Sequence, residues 1–184
     1  PQEPMTVYAV IEAARDAGGF YRSKDGGANW EKMSDHVPSS PQYYNELWVD
    51  PNDPDRVYSA DTWLRITNDG GRTFQRAPQE WVHVDYHAIW IDPNDTDHTL
   101  AGEDGGLYET FDRGENWDFK ENLPVTQFYR ISADDALPFY HVYGGTQDNF
   151  SLGAPSRTAN AHGITNADWY ITLGGDGFRS IPAP

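Results

Sequence analysis

A motif that returns every 42 to 44 residues limits what this chain of 184 residues can fold into. Three segments share the pattern Ser/Thr-x-Asp-x-Gly-x-x-Trp/Phe and begin at Ser23, Thr67 and Thr110. A second pattern, Asp-Pro-Asn-Asp, recurs in the same phase at Asp50 and Asp92. Two motifs that repeat in phase indicate that the chain is an array of similar structural units.

The segments between the motifs are typical of short β-strands. They include residues 6–10, 19–22, 56–59, 98–101 and 106–109. Gly, Pro, Asn or Asp bounds each segment, and no window has the apolar periodicity of a helix. With about four such strands in each repeat, the repeat length matches one blade of a β-propeller, which is a four-stranded antiparallel sheet. The sequence therefore predicts an all-β fold of propeller blades with a hairpin at each Asp-containing motif.

The phase of the repeat also predicts how the blades divide the chain. Residues 1–184 are expected to form a single propeller segment with blade ends near 34, 78, 120 and 173 and the start of a further blade at 174–184. This division gives the end of one blade, two full blades, a divergent blade and the start of another, with innermost strands at 86–92, 127–133 and 174–180. Closed propellers have about four to eight blades. The chain is thus expected to be an incomplete propeller, which blades of the same parent chain or of other chains complete.

The side chains of the first motif, which we call a box, suit a tight hairpin turn. An Asp at the start of such a turn accepts backbone N–H bonds, and a following Gly takes a positive φ without steric cost. The Ser or Thr can bond across the turn, and the final Trp or Phe is expected to pack between sheets. These roles are structural, and they fall to Ser23, Asp25, Gly27, Trp30, Thr67, Asp69, Gly71, Phe74, Thr110, Asp112, Gly114 and Trp117.

The Asp-Pro-Asn-Asp motif is interpreted as a turn between strands. A residue before Pro favours extended backbone, and Asn-Asp favours a turn. Calcium binding is the alternative, but Pro54 and Thr96 fall where the alternating oxygen ligands of an EF-hand loop would break.

Composition excludes several classes of function. The sequence has 29 acidic and 13 basic residues and a formal net charge of −16, which argues against nucleic-acid binding and against docking on an anionic membrane. No apolar run is long enough to span a bilayer, so no membrane insertion is expected. Cys is absent, so disulfides and thiol chemistry are excluded. No cofactor is expected.

The boxes resemble the Asp-box (BNR) repeats of sialidases, xyloglucanase-type glycoside hydrolases and sortilin-type receptors. Bacterial proteins with sortilin-like Asp-box propellers are more similar still, because their recurring phrases match residues 84–93, 127–129, 144–149 and 174–178. The resemblance covers residues 6–180 and implies a secreted, periplasmic or extracellular protein, although the chain opens without a signal peptide. Phe150 departs from the family phrase, which has Gly at this position.

The loops that lead into the innermost strands are expected to converge on one rim of the propeller, where blade-shaped folds bind ligands. Three carboxylates there are candidates for the acid and base of glycoside cleavage: Asp85, Asp148 and Asp176. Four further residues are candidates for ligand binding: His87, Gln147, Asn149 and Trp81. No catalytic motif of sialidases or xyloglucanases is recognisable in the sequence.

Two other patterns have both a functional and a structural interpretation. In an extended strand His83, Asp85 and His87 would share one face and could bind a divalent metal. Hydrogen bonding of the histidines to neighbours on a channel-facing strand is the preferred interpretation, because no fourth ligand is recognisable, so no metal is expected. Exposed aromatic residues could stack on sugar rings, although most are expected to pack between blades. They are Tyr43, Tyr44, Trp48, Trp63, Trp81, Tyr86 and Trp90.

These observations together predict a ligand- or protein-binding propeller segment of an exported protein, with a carbohydrate or a peptide as ligand. A glycoside hydrolase that uses carboxylates at the rim is the first alternative. A purely structural part of a larger assembly is the second. The fold does not decide among them, because propellers carry many unrelated functions.

Overall fold

The computed structural model describes residues 3–78, 82–123 and 125–183, and its regular structure is almost entirely β. The exceptions are two single turns of 3₁₀-helix, at Arg15–Ala17 and Asn166–Asp168. The strands are β1 Val7–Ile11, β2 Gly19–Ser23, β3 Glu31–Ser34, β4 Leu47–Val49, β5 Val57–Ser59, β6 Arg65–Thr67, β7 Gln75–Arg76, β8 Tyr86–Ile91, β9 Thr99–Glu103, β10 Gly106–Thr110, β11 Asp118–Phe119, β12 Arg130–Ala133, β13 His141–Gly145, β14 Ser151–Pro155 and β15 Tyr170–Leu173.

Each sheet is an antiparallel meander in which strands that follow each other in the chain are hydrogen-bonded neighbours. Strands β4–β7, β8–β11 and β12–β15 form four-stranded sheets, and β1–β3 form a three-stranded sheet. A four-stranded meander is the blade of a β-propeller, so the all-β prediction is confirmed. The three-stranded sheet lies in the part of the chain where the sequence predicts the end of one blade, and the division of the chain into blades stays a prediction. The chain divides into two compact units, Pro1–Glu121 and Asn122–Pro184, and the last sheet lies in the second unit.

The innermost strand predicted at 174–180 is not formed among the described residues. The backbone there bonds instead to the turn between β13 and β14: Gly177 N–H donates to the carbonyl of Thr146 (2.8 Å), and the carbonyl of Gly175 accepts from Phe150 N–H (3.0 Å). A strand needs a neighbouring strand, and the described residues supply none for this segment.

The main apolar core lies between the sheets β4–β7 and β8–β11. Antiparallel pairing sets Tyr58 opposite Ile66 and Ile89 opposite Ala101, so each pair projects from one face of its sheet. All four residues are buried and belong to one cluster of contacts. Burial of this aromatic and aliphatic surface fixes how the two blades pack and therefore where the loops at their ends lie.

All three boxes form the same hairpin turn. In the second box the Thr67 hydroxyl donates to the Asp69 carboxylate (2.8 Å) and accepts from Gly71 N–H (2.9 Å). The Asp69 carboxylate also accepts from the backbone N–H groups of Arg72 and Thr73, both at 2.9 Å. The corresponding bonds recur in the other two boxes, and the glycines at the fifth position of the three boxes have φ of +94°, +95° and +89°. The predicted roles of Ser/Thr, Asp and Gly are therefore those observed.

The box carboxylates are held in the charged form. The pKa of Asp25 is lowered to about 2 by hydrogen bonds, first from the Ser23 hydroxyl and then from Asn29. The pKa of Asp112 is lowered to about 2 in the same way, first by the side chain of Asn116. These carboxylates serve the turns, which leaves them poorly suited to proton transfer near neutral pH.

The aromatic residues that end the boxes do not share one environment. Phe74 packs edge-on against Phe20, with ring centroids 4.9 Å apart. Trp117 packs against the main core. Trp30, however, is 46% exposed, so the expectation that it packs between sheets is wrong for the first box. Its indole N–H donates to the carbonyl of Gly27 (3.0 Å), which keeps the ring on its own turn.

The Asp-Pro-Asn-Asp segments are turns, as predicted. The Asp50 carboxylate accepts from the backbone N–H groups of Asn52 (2.9 Å) and Asp53 (3.1 Å). Asp92 accepts from Asn94 N–H (2.8 Å) in the next repeat. These carboxylate oxygens therefore already have partners within the protein.

Replacement of Thr67 by Val is expected to lower the free energy of unfolding by about 2 kcal/mol, because it leaves the buried Gly71 N–H without its acceptor while the side-chain volume hardly changes. Urea unfolding followed by circular dichroism would measure the loss. Thr172→Val, at an exposed position of β15, is the matched control and should change the free energy little. Equal effects of the two variants would contradict the role assigned to the Thr67 hydroxyl.

Candidate functional site

A group of polar side chains in the first unit gathers where β8 begins and where β9 turns into β10. We call it the β8 cluster and define it as Tyr44, His83, Asp85, His87, Glu103 and Asp104. Tyr44 comes from the connection between β3 and β4, and His83 and Asp85 come from the connection between β7 and β8. His87 lies on β8, Glu103 ends β9, and Asp104 lies in the turn between β9 and β10.

Backbone hydrogen bonds connect Asp85 to two neighbouring hairpins. Asp85 N–H donates to the carbonyl of Thr62 in the β5–β6 hairpin (3.0 Å), and the carbonyl of Asp85 accepts from Asp104 N–H (3.2 Å). Asp85 itself has φ +70°, an uncommon conformation for a residue with a side chain. Backbone strain of this kind persists only where the surroundings hold it, and it occurs often at functional sites.

The expectation that His83, Asp85 and His87 share one face is wrong. β8 begins only at Tyr86, the positive φ of Asp85 breaks the extended run, and the pairing of β8 with β9 shifts register between Tyr86 and Ala88. The three side chains therefore take different partners. In the described ranges, no group of three or more His, Asp or Glu side chains is arranged to hold a metal ion.

The outer layer of the β8 cluster is accessible to solvent. His87 Nε2 lies 2.9 Å from Asp104 Oδ1, and the Tyr44 hydroxyl donates to Asp85 Oδ1 (2.8 Å). The rings of Tyr44 and His87 lie 5.3 Å apart and connect the two pairs. The His87 side chain is 49% exposed and that of Asp104 30%, so both can reach a ligand.

Glu103 forms a deeper layer. Its side chain is fully buried, and its Oε2 lies 3.4 Å from His83 Nδ1. Burial raises the pKa of Glu103 to about 8, and the charges of Asp104 and Asp85 add to the shift. The carboxyl is therefore largely protonated at neutral pH, whereas the solvent-facing Asp104 is not buried in this way.

Sequence reasoning missed Glu103 and Asp104. One signal was available, because the sequence Glu103-Asp104-Gly105-Gly106 follows a buried strand and reads as a hairpin with two adjacent carboxylates at its tip. The burial of Glu103 had no such signal, since it depends on the packing of Tyr86 opposite it in the sheet.

The aromatic candidates divide into core and surface. Trp48 packs against the core and Tyr86 is fully buried, so neither can stack on a ligand. The guanidinium of Arg76 covers Trp63, with Arg76 Cζ 3.3 Å from the centroid of the Trp63 ring. Two candidates are exposed: Trp90 on β8, and Tyr43, which is 72% exposed beside Tyr44. Trp81, a predicted binding residue, lies outside the described residues.

A second polar group, in the second unit, surrounds the turn between β13 and β14. Asp148 N–H donates to Asp176 Oδ1 (2.9 Å), so the predicted residues Asp148 and Asp176 are neighbours, and the carboxylate of Asp176 caps the turn. The Tyr129 hydroxyl donates to Gln147 Oε1 (2.8 Å), and the Asn149 side chain donates to the carbonyl of Gln147 (3.2 Å). We call this group the β13–β14 turn cluster.

Phe150, the departure from the family phrase, adopts φ +72°. This is the left-handed conformation that Gly takes at least cost, and Asp148 in the same turn also has a positive φ, +61°. The turn therefore keeps a shape suited to Gly although it carries two residues with side chains.

The predicted site residues thus fall into two groups. Asp85 and His87 belong to the β8 cluster of the first unit. Gln147, Asp148, Asn149 and Asp176 belong to the β13–β14 turn cluster of the second unit.

Comparison with known proteins finds solved structures of similar fold. No protein-family model and no curated protein matches the sequence. Among solved structures, a GH74 enzyme of Niastella koreensis is similar over 94% of this chain and 29% of its own length, with 16% identity and a TM-score of 0.52. The GH74 xyloglucanase of Xanthomonas campestris is similar over 96% of this chain and 31% of its own length, with 18% identity and a TM-score of 0.50.

These likenesses establish the architecture of the chain. It is an all-β protein of β-propeller blades, and it spans less than a third of the length of each of the two enzymes. At this level of identity the similarity concerns the fold alone.

None of the helical turns in residues 3–78, 82–123 and 125–183 has the length or the apolarity to cross a bilayer.

Proposed function

We propose that the chain is a carbohydrate-binding β-propeller segment of an exported protein of the Asp-box type, and that the β8 cluster is its binding surface. The observation that carries the proposal is an exposed aromatic ring next to paired polar groups. Tyr43 offers a free ring face, while His87 and Asp104 offer solvent-facing hydrogen-bonding groups. Sugar recognition combines these elements, since rings stack on the apolar face of a pyranose and carboxylates accept from its hydroxyl groups.

The charge of the cluster points to a neutral glycan. Asp85 and Asp104 are carboxylates, and the whole chain has a formal net charge of −16. Carboxylate-bearing sugars would be repelled, whereas the hydroxyl groups of a neutral sugar can donate to these acceptors. Tyr44 and His87 limit the orientations that a bound ring can take, because their own hydrogen bonds hold them in place.

Binding without turnover fits the cluster better than hydrolysis does. Glu103 has the raised pKa expected of a general acid, but its fully buried side chain has no route to a glycosidic oxygen. Asp85 is already an acceptor for the Tyr44 hydroxyl.

Glycoside hydrolysis is the second candidate, because one observation favours it. A buried carboxyl whose pKa is raised to about 8, close to two other carboxyl groups, resembles the acid of a glycosidase pair. A shift of the β9–β10 hairpin on ligand binding would be needed to expose Glu103.

Calorimetric titration with xyloglucan oligosaccharides tests the binding proposal. Xyloglucan is a neutral glycan, and the Xanthomonas enzyme of similar fold is described as a xyloglucanase. Tyr43→Ala and His87→Ala are each expected to weaken binding about tenfold, the effect of about 1.4 kcal/mol. Tyr140→Ala, at an exposed tyrosine of the second unit, is the control and should leave the affinity unchanged.

Three results would decide between the proposals. Absence of heat with xyloglucan and with other neutral glycans would overturn carbohydrate binding. Loss of affinity in Tyr140→Ala would show that the binding surface is not the β8 cluster. New reducing ends that disappear in Asp85→Asn would establish hydrolysis instead.

A further inference from the structure

Two arginines face each other on the sheet β4–β7. In the pairing of β6 with β7, Arg65 lies directly opposite Arg76. Residues opposite each other in antiparallel strands project from the same face of the sheet, and like charges in these positions repel. The chain has 29 acidic and only 13 basic residues, so most cations have acidic neighbours to choose from. A pair of arginines side by side is therefore unusual for this chain.

The other repeats show that a blade does not need this pair. The position two residues before the box, which Arg65 holds, belongs to Tyr21 in the first sheet and to Tyr108 in the third. The residues opposite these tyrosines are Lys32 and Phe119. In the third sheet the two side chains form an aromatic pair, with ring centroids 5.1 Å apart. Arginine at both positions is a departure from the repeat, which points to a role other than folding.

Trp63 holds one of the two arginines in place. Arg76 Cζ lies 3.3 Å from the centroid of the Trp63 ring. In the first and third sheets the residue that corresponds to Arg76 packs against a glycine instead, Gly19 or Gly106, so Trp63 also departs from the repeat. The N–H groups of a guanidinium lie in its own plane, so stacking on an indole leaves them directed outward toward acceptors.

The charge of Arg65 is not neutralised by the described residues. Among them, no carboxylate lies within salt-bridge distance of Arg65, and no acceptor receives a hydrogen bond from its guanidinium. Burial, and then the charge of Arg65, lowers the pKa of His36 to about 4, so His36 is neutral at neutral pH. Asp61 in the β5–β6 hairpin is buried and already accepts from the Ser39 hydroxyl (2.6 Å) and from Thr62 N–H (2.8 Å). The half-buried Arg65 side chain is thus able to take an anion from outside the chain.

We propose that Arg65 and Arg76 bind the carboxylate of a uronic acid in a glycan whose neutral part lies on the β8 cluster. The planar fork of an arginine matches the two oxygens of a carboxylate. The two surfaces adjoin, because Trp63 follows Thr62, whose carbonyl accepts from Asp85 N–H of the β8 cluster (3.0 Å). The neutral part of this glycan rests on the proposed function, whereas the carboxylate site is argued from the arginines.

The two surfaces fix the direction of the bound glycan. The carboxylates of the β8 cluster repel an acidic sugar, whereas the arginine pair attracts it. A glycan that contains both kinds of sugar therefore binds in one orientation, with its acidic residue at the pair.

Nuclear magnetic resonance of the Trp63 indole tests the carboxylate site by itself. Sodium glucuronate should shift the indole N–H signal of Trp63, and glucose at the same ionic strength should not. Arg65→Gln should weaken glucuronate binding about tenfold, through loss of a charge-assisted hydrogen bond. The double variant Arg65→Tyr with Arg76→Phe copies the Tyr108–Phe119 pair of the third sheet, so it suits the blade, and it should abolish the response.

Two controls make the result specific. Arg72→Gln removes the same charge at an exposed position of the second box and should leave the glucuronate response unchanged. The peptide tetra-aspartate carries the same chemical group without a sugar and should act more weakly than glucuronate. Absence of a glucuronate response in wild type would overturn the proposal. So would an equal response of the double variant, or a stronger response to tetra-aspartate, which would assign the pair to an acidic peptide.

A second titration separates this site from the proposed function. Xylo-oligosaccharides that carry a glucuronic acid should bind wild type about tenfold more tightly than the unsubstituted oligosaccharides, and equally to them in Arg65→Gln. A glucuronate response at Trp63 without binding of neutral glycans would support the carboxylate site and overturn the function proposed for the β8 cluster. Binding of neutral glycans without a glucuronate response would do the reverse.

Discussion

Gly71→Ala is expected to lower the free energy of unfolding by about 3 kcal/mol or more, the sum of backbone strain and overpacking. Gly71 has φ +95°, and a Cβ at this position would lie 2.2 Å from Cδ1 and 2.3 Å from Cε1 of Phe20. Phe20 is fully buried and cannot yield, because Tyr8 and Phe74 pack against its ring. The turn and the packing between the first two blades would both be disturbed.

Gly27→Ala is the matched control, since Gly27 holds the same place in the first box with φ +94°. A Cβ there would meet only the Trp30 ring, with Cζ2 at 3.6 Å and Nε1 at 4.0 Å, which are ordinary contacts. This variant should lose only about 1 to 2 kcal/mol, from the backbone alone. Urea unfolding of both proteins measures the difference, and equal losses would show that contact with Phe20 does not govern the cost.

Glu103→Gln is expected to remove a pH dependence of stability that the wild type shows between about pH 4.5 and pH 8. The pKa of Glu103 is raised by burial from 4.5 to about 8, so in this window the folded state holds a proton that the unfolded state has released. The stabilisation is complete below pH 4.5 and is lost as the pH rises through 8. Across the whole window the difference between 4.5 and about 8 corresponds to a loss of about 5 kcal/mol in wild type, and we expect little of it in the variant.

Other titrating groups do not confuse this comparison. Burial lowers the pKa of His36 to about 4, so His36 stabilises the folded state increasingly as the pH rises from 4 to 6.5, but it does so equally in both proteins. Asp104→Asn, which removes a partly exposed neighbouring carboxylate, should retain most of the pH dependence. Urea midpoints at pH 5, 6.5 and 8 give the measurement. Parallel curves for wild type and Glu103→Gln would show that Glu103 is ionised in the folded protein at neutral pH.

The sequence predicts the repeating units well because each depends on short-range chemistry. The Thr67, Asp69 and Gly71 roles follow from hydrogen bonds that span at most four residues, so the pattern of residue types is enough to derive the turn. The meander of each sheet follows from the spacing of these turns. The same argument fails for Trp30, because its exposure depends on contacts with residues distant in the sequence rather than on the box itself.

The β8 cluster was only partly predictable, for a physical reason. The alternation of His83, Asp85 and His87 describes an extended strand, but hydrogen bonds from two neighbouring hairpins hold Asp85 at a positive φ. Such long-range bonds leave no trace in local spacing. The sequence predicts Asp85 and His87 as site residues from their place at the start of an innermost strand, whereas Glu103, at the end of β9, is buried by the packing of one blade.

Strand β10 separates two kinds of chemistry along its length. Its C-terminal end runs into the box that starts at Thr110, a turn that satisfies its own polar groups, while its N-terminal end leaves the hairpin that carries Glu103 and Asp104. Substitutions in the β9–β10 hairpin therefore do not affect the hydrogen bonds within the box that starts at Thr110. If the proposed carbohydrate site is correct, residues of the β9–β10 hairpin can be substituted to alter ligand specificity without loss of the turn that holds the blade together.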